Sequence, residues 1–238
     1  MKLTDFRVLS FDCYGTLIDW ESGILTALRP LVHRAGLTLD GEAILAAFAQ
    51  QETEQQAATP AMPYAALLTE VHSRLARLWK VDDNAAENER FGASIGDWPG
   101  FPDTVEALRA LAQSYRLVIL SNVDRDSFRV TNTRLGVTFD AIYTAQDIGS
   151  YKPDPRNFAW LLDRLAESGF QKSDVLHVAQ SLYHDHAPAN ALGLASAWID
   201  RRHGATGWGA TVPPPQGVRY DFCFNSLREL ADAVMSGV

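Results

Sequence analysis

Cysteine is scarce: Cys13 and Cys223 are the only two in 238 residues. No disulfide framework can hold such a chain together, and a reducing compartment is expected. Basic residues are in the minority as well, 21 Lys and Arg against 29 Asp and Glu, for a formal charge of −8. With no basic stripe to offset it, that balance speaks against a nucleic-acid partner. It leaves room for a small anion, because a single local Lys or Arg decides that. No apolar run approaches the ~20 residues that a membrane-crossing helix needs. The opening MKLTDFRVLSFD enters a strand-like segment directly, without the apolar stretch and cleavage site of a secretory signal. A cytoplasmic protein with no membrane partner is therefore the expectation. Internal repeats and long low-complexity tracts are also missing.

What is present is an ordinary globular composition. Apolar residues make up 47% and charged residues 21%, enough to bury a core in one large domain or two unequal ones. The most informative stretch is Leu9-Ser10-Phe11-Asp12-Cys13-Tyr14-Gly15-Thr16-Leu17-Ile18-Asp19. A short apolar run, Val8 to Phe11, reads as a buried strand, and Gly15 lets the backbone turn sharply after it. Asp12 is thereby delivered to the end of a buried strand, where a carboxylate is costly unless neighbours stabilise it. Cys13 reads as a small core residue facing away from Asp12.

After Asp12 the pattern is helical for about eighty residues, judged by apolar spacing. Ile24, Leu25, Leu28, Leu31 and Val32 precede Gly36, a helix stop; Asp40 caps a second helix through Ile44, Leu45 and Phe48. The Glu/Gln-rich positions 50 to 56 read as a solvated face. Tyr64 to Leu78 marks a third helix, and a fourth is expected near Asn84 to Ile95. Asp97-Trp98-Pro99-Gly100-Phe101-Pro102 breaks the composition and reads as a hinge. Beyond it helices and strands alternate, with strands at Arg116–Leu120, Ala141–Thr144, Val175–Ala179 and Ala197–Ile199, and a last helix from Leu227. Strands separated by helices imply an α/β, Rossmann-like parallel sheet with right-handed crossovers. The helical block interrupts that sheet between its first and second strands. The expected domains are an α/β core of residues 1–16 and 98–238 and a helical cap of residues 17–97. An insertion at this point can cover the carboxyl edge, where parallel sheets place ligands. The aromatic residues Trp20, Phe48, Tyr64 and Trp98 are read as core.

Polar groups recur at that edge: Asp12 after the first strand, Ser121 and Asn122 after the second, Lys152 after the third, and Gln180, Ser181 and Asp185 after the fourth. Each alone could be a cap or turn residue; together at one edge they point to a site. His184-Asp185-His186 does not suit a metal, because alternate residues at a helix start point apart. His184 is read either as a turn histidine or as a donor near the site.

The segment Phe-Asp-x-Tyr-Gly-Thr-Leu, with Ser121, Lys152 and Asp185 in order, resembles the haloacid dehalogenase superfamily and, within it, the 2-haloacid dehalogenases. The resemblance covers nearly the whole chain. It implies a hydrolase acting on the carbon–halide bond of a small 2-haloacid, with Asp12 as nucleophile and an aspartyl ester as intermediate. Lys152 would keep Asp12 ionised by lowering its pKa. Thr16 would orient the Asp12 carboxylate, and Asp185 would position the hydrolytic water. Ser121 and Asn122 would hold the substrate carboxylate. Tyr14 and Tyr183 would supply an apolar wall, with Ser181 and His184 completing the substrate site. No cofactor and no metal are implied, and a homodimer is compatible with the family.

Two departures from the phosphatases of the superfamily support this reading. Tyr14 stands where they carry a second acid, which protonates an alkoxide leaving group. Gln180 replaces the first acid of their Gly-Asp-x-x-x-x-Asp segment, which supplies oxygen ligands for Mg²⁺. Two further departures concern the dehalogenases themselves. The stretch Ala46-Ala47-Phe48-Ala49-Gln50-Gln51 lacks the Arg that helps them withdraw halide, and Gln180-Ser181-Leu182-Tyr183-His184-Asp185 replaces Ser-x-Asn-x-x-Asp. Either halide acceptance uses other donors or the leaving group is not a halide. The alternatives are a Mg²⁺-dependent small-metabolite phosphatase and a catalytically silent binder of small acids.

Overall fold

The computed structural model describes residues 1–237. Its frame is a six-stranded parallel sheet in the order β3-β2-β1-β4-β5-β6. In chain order, β1 (Val8–Phe11) is followed by α1 (Trp20–Arg34), α2 (Gly41–Ala58), α3 (Tyr64–Leu78) and α4 (Ala85–Ala93). Then come α5 (Thr104–Leu111), β2 (Arg116–Ser121), α6 (Arg125–Asn132), β3 (Ala141–Thr144), α7 (Ala145–Ile148) and α8 (Pro155–Glu167). β4 (Val175–Ala179), α9 (Ala187–Ala191), β5 (Ala195–Ile199), β6 (Phe222–Phe224) and α10 (Leu227–Met235) complete it. Five of these strands match the expected segments; β6, three residues at the sheet edge, is additional. No helix among the described residues is long and apolar enough to cross a membrane.

Alternation along the strands builds two apolar layers. Leu9, Phe11, Leu117, Ile119, Leu176 and Val178 pack with Leu108 of α5 and Leu230 of α10. Val8, Val118, Leu120 and Val175 pack on the other face with Phe158, Leu161 and Leu165 of α8. Such continuous apolar strands are what a sheet covered on both faces requires. Cys13 is buried, as expected, and burial pushes its thiol well above the usual range.

The chain leaves the sheet after β1 and returns before α5 along two neighbouring segments. Ile18 bridges Gly100, Asp19 N donates to Pro99 O at 2.8 Å, and Phe101 N donates to Leu17 O at 3.1 Å. Between these crossings, α1 to α4 pack on one another through Ile24, Leu28, Phe48, Leu68, Val71 and Phe91. The largest correction to the sequence reading lies in α2. Gln51, Glu52, Gln55 and Gln56 are buried, not solvated. They continue the stripe begun by Ile44, Leu45 and Phe48, so polar side chains occupy the inward face of the helix.

Candidate active site

Asp12 is the first residue beyond β1. Its amide still donates to Val178 O in β4 at 3.1 Å, so the sheet fixes the backbone while the side chain leaves the edge. The chain then turns at Gly15, whose φ of +96° suits glycine. A Cβ there would stand 2.9 Å from Trp20 Nε1. The turn brings Thr16 back to the carboxylate, and its Oγ1 donates to Asp12 Oδ2 at 2.6 Å while accepting from Gln180 N at 2.9 Å.

Lys152 supplies the other half of the grip. Its Nζ donates to Asp12 Oδ1 at 2.9 Å, to Asp185 Oδ1 at 2.6 Å and to Leu120 O at 3.0 Å. All three ammonium protons are thus spent inside the protein, and the side chain is only 1% exposed. Asn122 fixes the lysine backbone from both sides: Oδ1 accepts from Lys152 N at 2.7 Å, and Nδ2 donates to Lys152 O at 3.0 Å. One of the two Asn122 amide hydrogens is thus spent on the loop that carries Lys152, and Asn122 also lines the cavity that these residues border.

Asp185 lies in a short π-helical turn, Leu182–His186, after β4. Ser181 caps the turn by accepting from His184 N at 3.0 Å. Asp185 Oδ1 also meets His177 Nε2 at 2.9 Å, and His177 Nδ1 lies 2.9 Å from Ser10 Oγ. The β1–β4 register pairs Ser10 directly with His177. With Nε2 donating to a carboxylate, Nδ1 accepts from the Ser10 hydroxyl, which fixes the ring. Neither residue was singled out in the sequence; a histidine inside the apolar run Val-Leu-His-Val-Ala was the available signal.

Burial and charge act against each other at this cluster. Burial raises the Asp12 carboxyl, and the nearby Lys152 ammonium only partly offsets it. The expected depression of Asp12 by Lys152 is thus reversed by desolvation. For Asp185 burial also acts upward, but Lys152 and His177 outweigh it and hold the carboxyl well below the usual range. For Lys152 burial acts downward, and the two carboxylates overcome it to keep the ammonium charged.

These residues border a tight cavity between the sheet edge and the helices α1 to α3. Tyr14, Ser121, Asn122, Ser181 and His184 line it. The Tyr14 hydroxyl pairs with Thr131 Oγ1 at 2.7 Å, and its ring meets Trp98 edge-on at 5.8 Å. Tyr183 lines the neighbouring grooves, one of them shared with Lys152 and Gln56. Trp20 and Tyr64, buried in the core as expected, also line the cavity, with Glu52 and Gln56 beside them. Phe48 and Trp98 remain core residues.

Ser121 Oγ, His184 Nε2 and Asp185 Oδ2 are buried without a hydrogen-bond partner among the described residues. Orphaned polar atoms at one cavity are what a bound ligand or water would satisfy. Burial lowers the His184 imidazole to about 4, so the ring is neutral. Ser181 Oγ accepts from His184 N and lies 3.2 Å from Nδ1; with the serine proton on Nδ1, the ring hydrogen sits on Nε2. His186 turns away to Ser196 Oγ and Ala179 O, at 2.9 and 3.0 Å. Both carboxylates at the sheet edge, Asp12 and Asp185, are engaged by Lys152, and among the described residues no group of three His, Cys, Asp or Glu side chains is arranged to hold a metal ion.

Fold and site together define a class, α/β proteins that carry a buried carboxylate at the end of the first strand of a parallel sheet. The chain belongs to the haloacid dehalogenase-like hydrolase family, whose sequence model matches residues 6–193. It is 26% identical over 203 residues to (S)-2-haloacid dehalogenase 4A of Burkholderia cepacia, covering 82% of this chain and 84% of that protein. It is 27% identical over 212 residues to (S)-2-haloacid dehalogenase 1 of Pseudomonas sp. (strain CBS-3), covering 82% and 85%. Among solved structures it resembles L-2-haloacid dehalogenase from Xanthobacter autotrophicus with chloropropionic acid covalently bound. The TM-score is 0.78 at 20% identity, over 98% of this chain and 100% of that one.

Proposed function

We propose that this chain is a hydrolytic dehalogenase of small 2-haloacids that works through an ester on Asp12. One observation carries the reading: the residue next to the Asp12 turn is Tyr14, not an acid, and its hydroxyl is spent on Thr131. Burial pushes that hydroxyl well above its usual range, so it is a poor acid. A leaving group expelled by Asp12 must then be stable as an anion, which suits halide. The names of the dehalogenase relatives support the same chemistry.

In the first step an Asp12 oxygen attacks the α-carbon, and the carbon–halogen bond breaks with its electron pair on the halide. The Lys152 ammonium and Thr16 hydroxyl aim the carboxylate. Ser121 Oγ holds the substrate carboxylate, and His184 Nε2–H faces the same space. In the second step water adds to the ester carbonyl. Asp185 Oδ2 accepts a hydrogen bond from that water. Held strongly acidic, Asp185 orients the water and does not store its proton, which passes to the departing alkoxide to give the 2-hydroxy acid. His177 acts through Asp185 as a positioning residue. Residues 17–97 form a cap that closes the site, and residues 1–16 with 98–238 form the core.

Release of halide from chloroacetate, fluoroacetate and L-2-chloropropionate, with and without EDTA, tests the reading. Halide release unchanged by EDTA is the expected result. Hydrolysis of a phosphate ester that EDTA abolishes, with no halide release, would replace it by a metal-dependent phosphatase.

A further inference from the structure

Resting on the dehalogenase reading, we propose that Glu52, in its protonated form, is the cap-side donor that receives the leaving halide. Displacement at carbon is in line, so the halide departs on the side opposite Asp12. Asp12, Lys152 and Asp185 reach the cavity from the sheet edge, whereas Trp20, Glu52, Gln56 and Tyr64 reach it from α1, α2 and α3. The halide is therefore driven toward the helices. No Arg or Lys lines the cavity there. Glu52 is 2% exposed, and Tyr64 Oη donates to its Oε1 at 2.6 Å, which leaves Oε2 as the oxygen to carry a proton. No ion pair involves Glu52 among the described residues.

Charge at the cavity favours the protonated form. The sheet edge already holds two carboxylates and one ammonium, and the substrate adds another anion. A carboxylate in the cap would repel substrate and product halide alike, whereas a neutral carboxyl donates a hydrogen bond. Burial raises Glu52 to about 7, with the Tyr64 hydroxyl opposing the shift. The other titratable groups near it are assigned. Tyr64 and Tyr151 are phenols pushed upward by burial, His184 titrates near 4, Asp185 lies low and Lys152 stays charged. Asp124 is fixed by donors from Ala65 and Ser127. In the displacement the halide leaves with the bonding pair and accepts the Oε2–H hydrogen bond; no net proton transfer is needed. Fluoride, the strongest acceptor among the halides, gains most from such a donor.

The expected pH profile is two-sided. Activity rises as Asp12 ionises and falls through about pH 7 as Glu52 loses its proton. Three variants test this by halide release from fluoroacetate and chloroacetate between pH 5.5 and 9. Glu52→Gln, which keeps a neutral donor, should lose the alkaline fall while its rate at pH 6 drops several-fold. Tyr64→Phe removes a hydrogen bond that favours the Glu52 anion, so the alkaline fall should move to higher pH. Glu52→Ala should lower kcat by about 10²-fold, more on fluoroacetate than on chloroacetate. An alkaline fall unchanged in both Glu52→Gln and Tyr64→Phe would overturn this proposal while leaving the dehalogenase reading intact. No halide release from the unaltered protein would overturn the reading itself.

Discussion

Asp12→Asn is expected to reduce halide release by at least about 10⁴-fold while leaving the fold in place. An amide is a poor nucleophile at carbon, so the first step has no other entry. The structural cost is small because the amide can reuse both existing contacts. Its oxygen can still accept from Lys152 Nζ, and its nitrogen can donate to Thr16 Oγ1. A stability change within about 1 kcal/mol is expected. Halide assays with a thermal melt would check both halves. Retained turnover would remove Asp12 from the chemistry.

Lys152→Met is expected to act on stability as strongly as on activity. Lys152 is the ammonium paired with both Asp12 and Asp185, and it is enclosed with them. Removing one partner of a buried ionic group typically costs about 3–5 kcal/mol, because the remaining charge is left desolvated. In a chain of this length that lowers the melting temperature by roughly 10 °C. The pH dependence carries the signature. Without Lys152, burial and mutual repulsion raise both carboxyls above their unfolded values. Acids raised in the folded state cost stability as pH rises above the unfolded carboxylate range. The deficit relative to the unaltered protein should therefore shrink as pH falls toward 4. A deficit that stays constant from pH 4 to 8 would mean that lost packing, not charge, is responsible.

The core of the site was legible because each of its residues carries a local signal. Asp12 and Ser121 stand where apolar strands stop, Lys152 and Asp185 in the segments that follow the third and fourth strands, and a parallel sheet brings such ends to one edge. Thr16 follows from the turn that Gly15 permits. What the sequence did not expose was the second layer and the opposite wall. Ser10 and His177 are polar residues inside apolar strands, and only the β1–β4 register makes them partners. Asn122 stands at the right place but serves the Lys152 backbone, which spacing cannot reveal. Residues 50 to 56 look solvated by composition, whereas helical periodicity turns Gln51, Glu52, Gln55 and Gln56 inward. Positions 44, 45, 48, 52, 55 and 56 form one helical stripe whose second half is polar. That stripe was the signal for Glu52. β6 was overlooked because three residues after a Gly- and Pro-rich loop hold too little pattern to show a strand.

The covalent role of Asp12 is the claim on which the rest depends, and isotope transfer tests it most directly. With enzyme in excess over chloroacetate in ¹⁸O-water, a single turnover should place ¹⁸O on the Asp12 carboxylate and leave the glycolate hydroxyl unlabelled. That follows because water adds to the ester carbonyl while the ester oxygen leaves with the product. Labelled glycolate from the first turnover, with Asp12 unlabelled by peptide mass spectrometry, would contradict the account and assign the displacement to water.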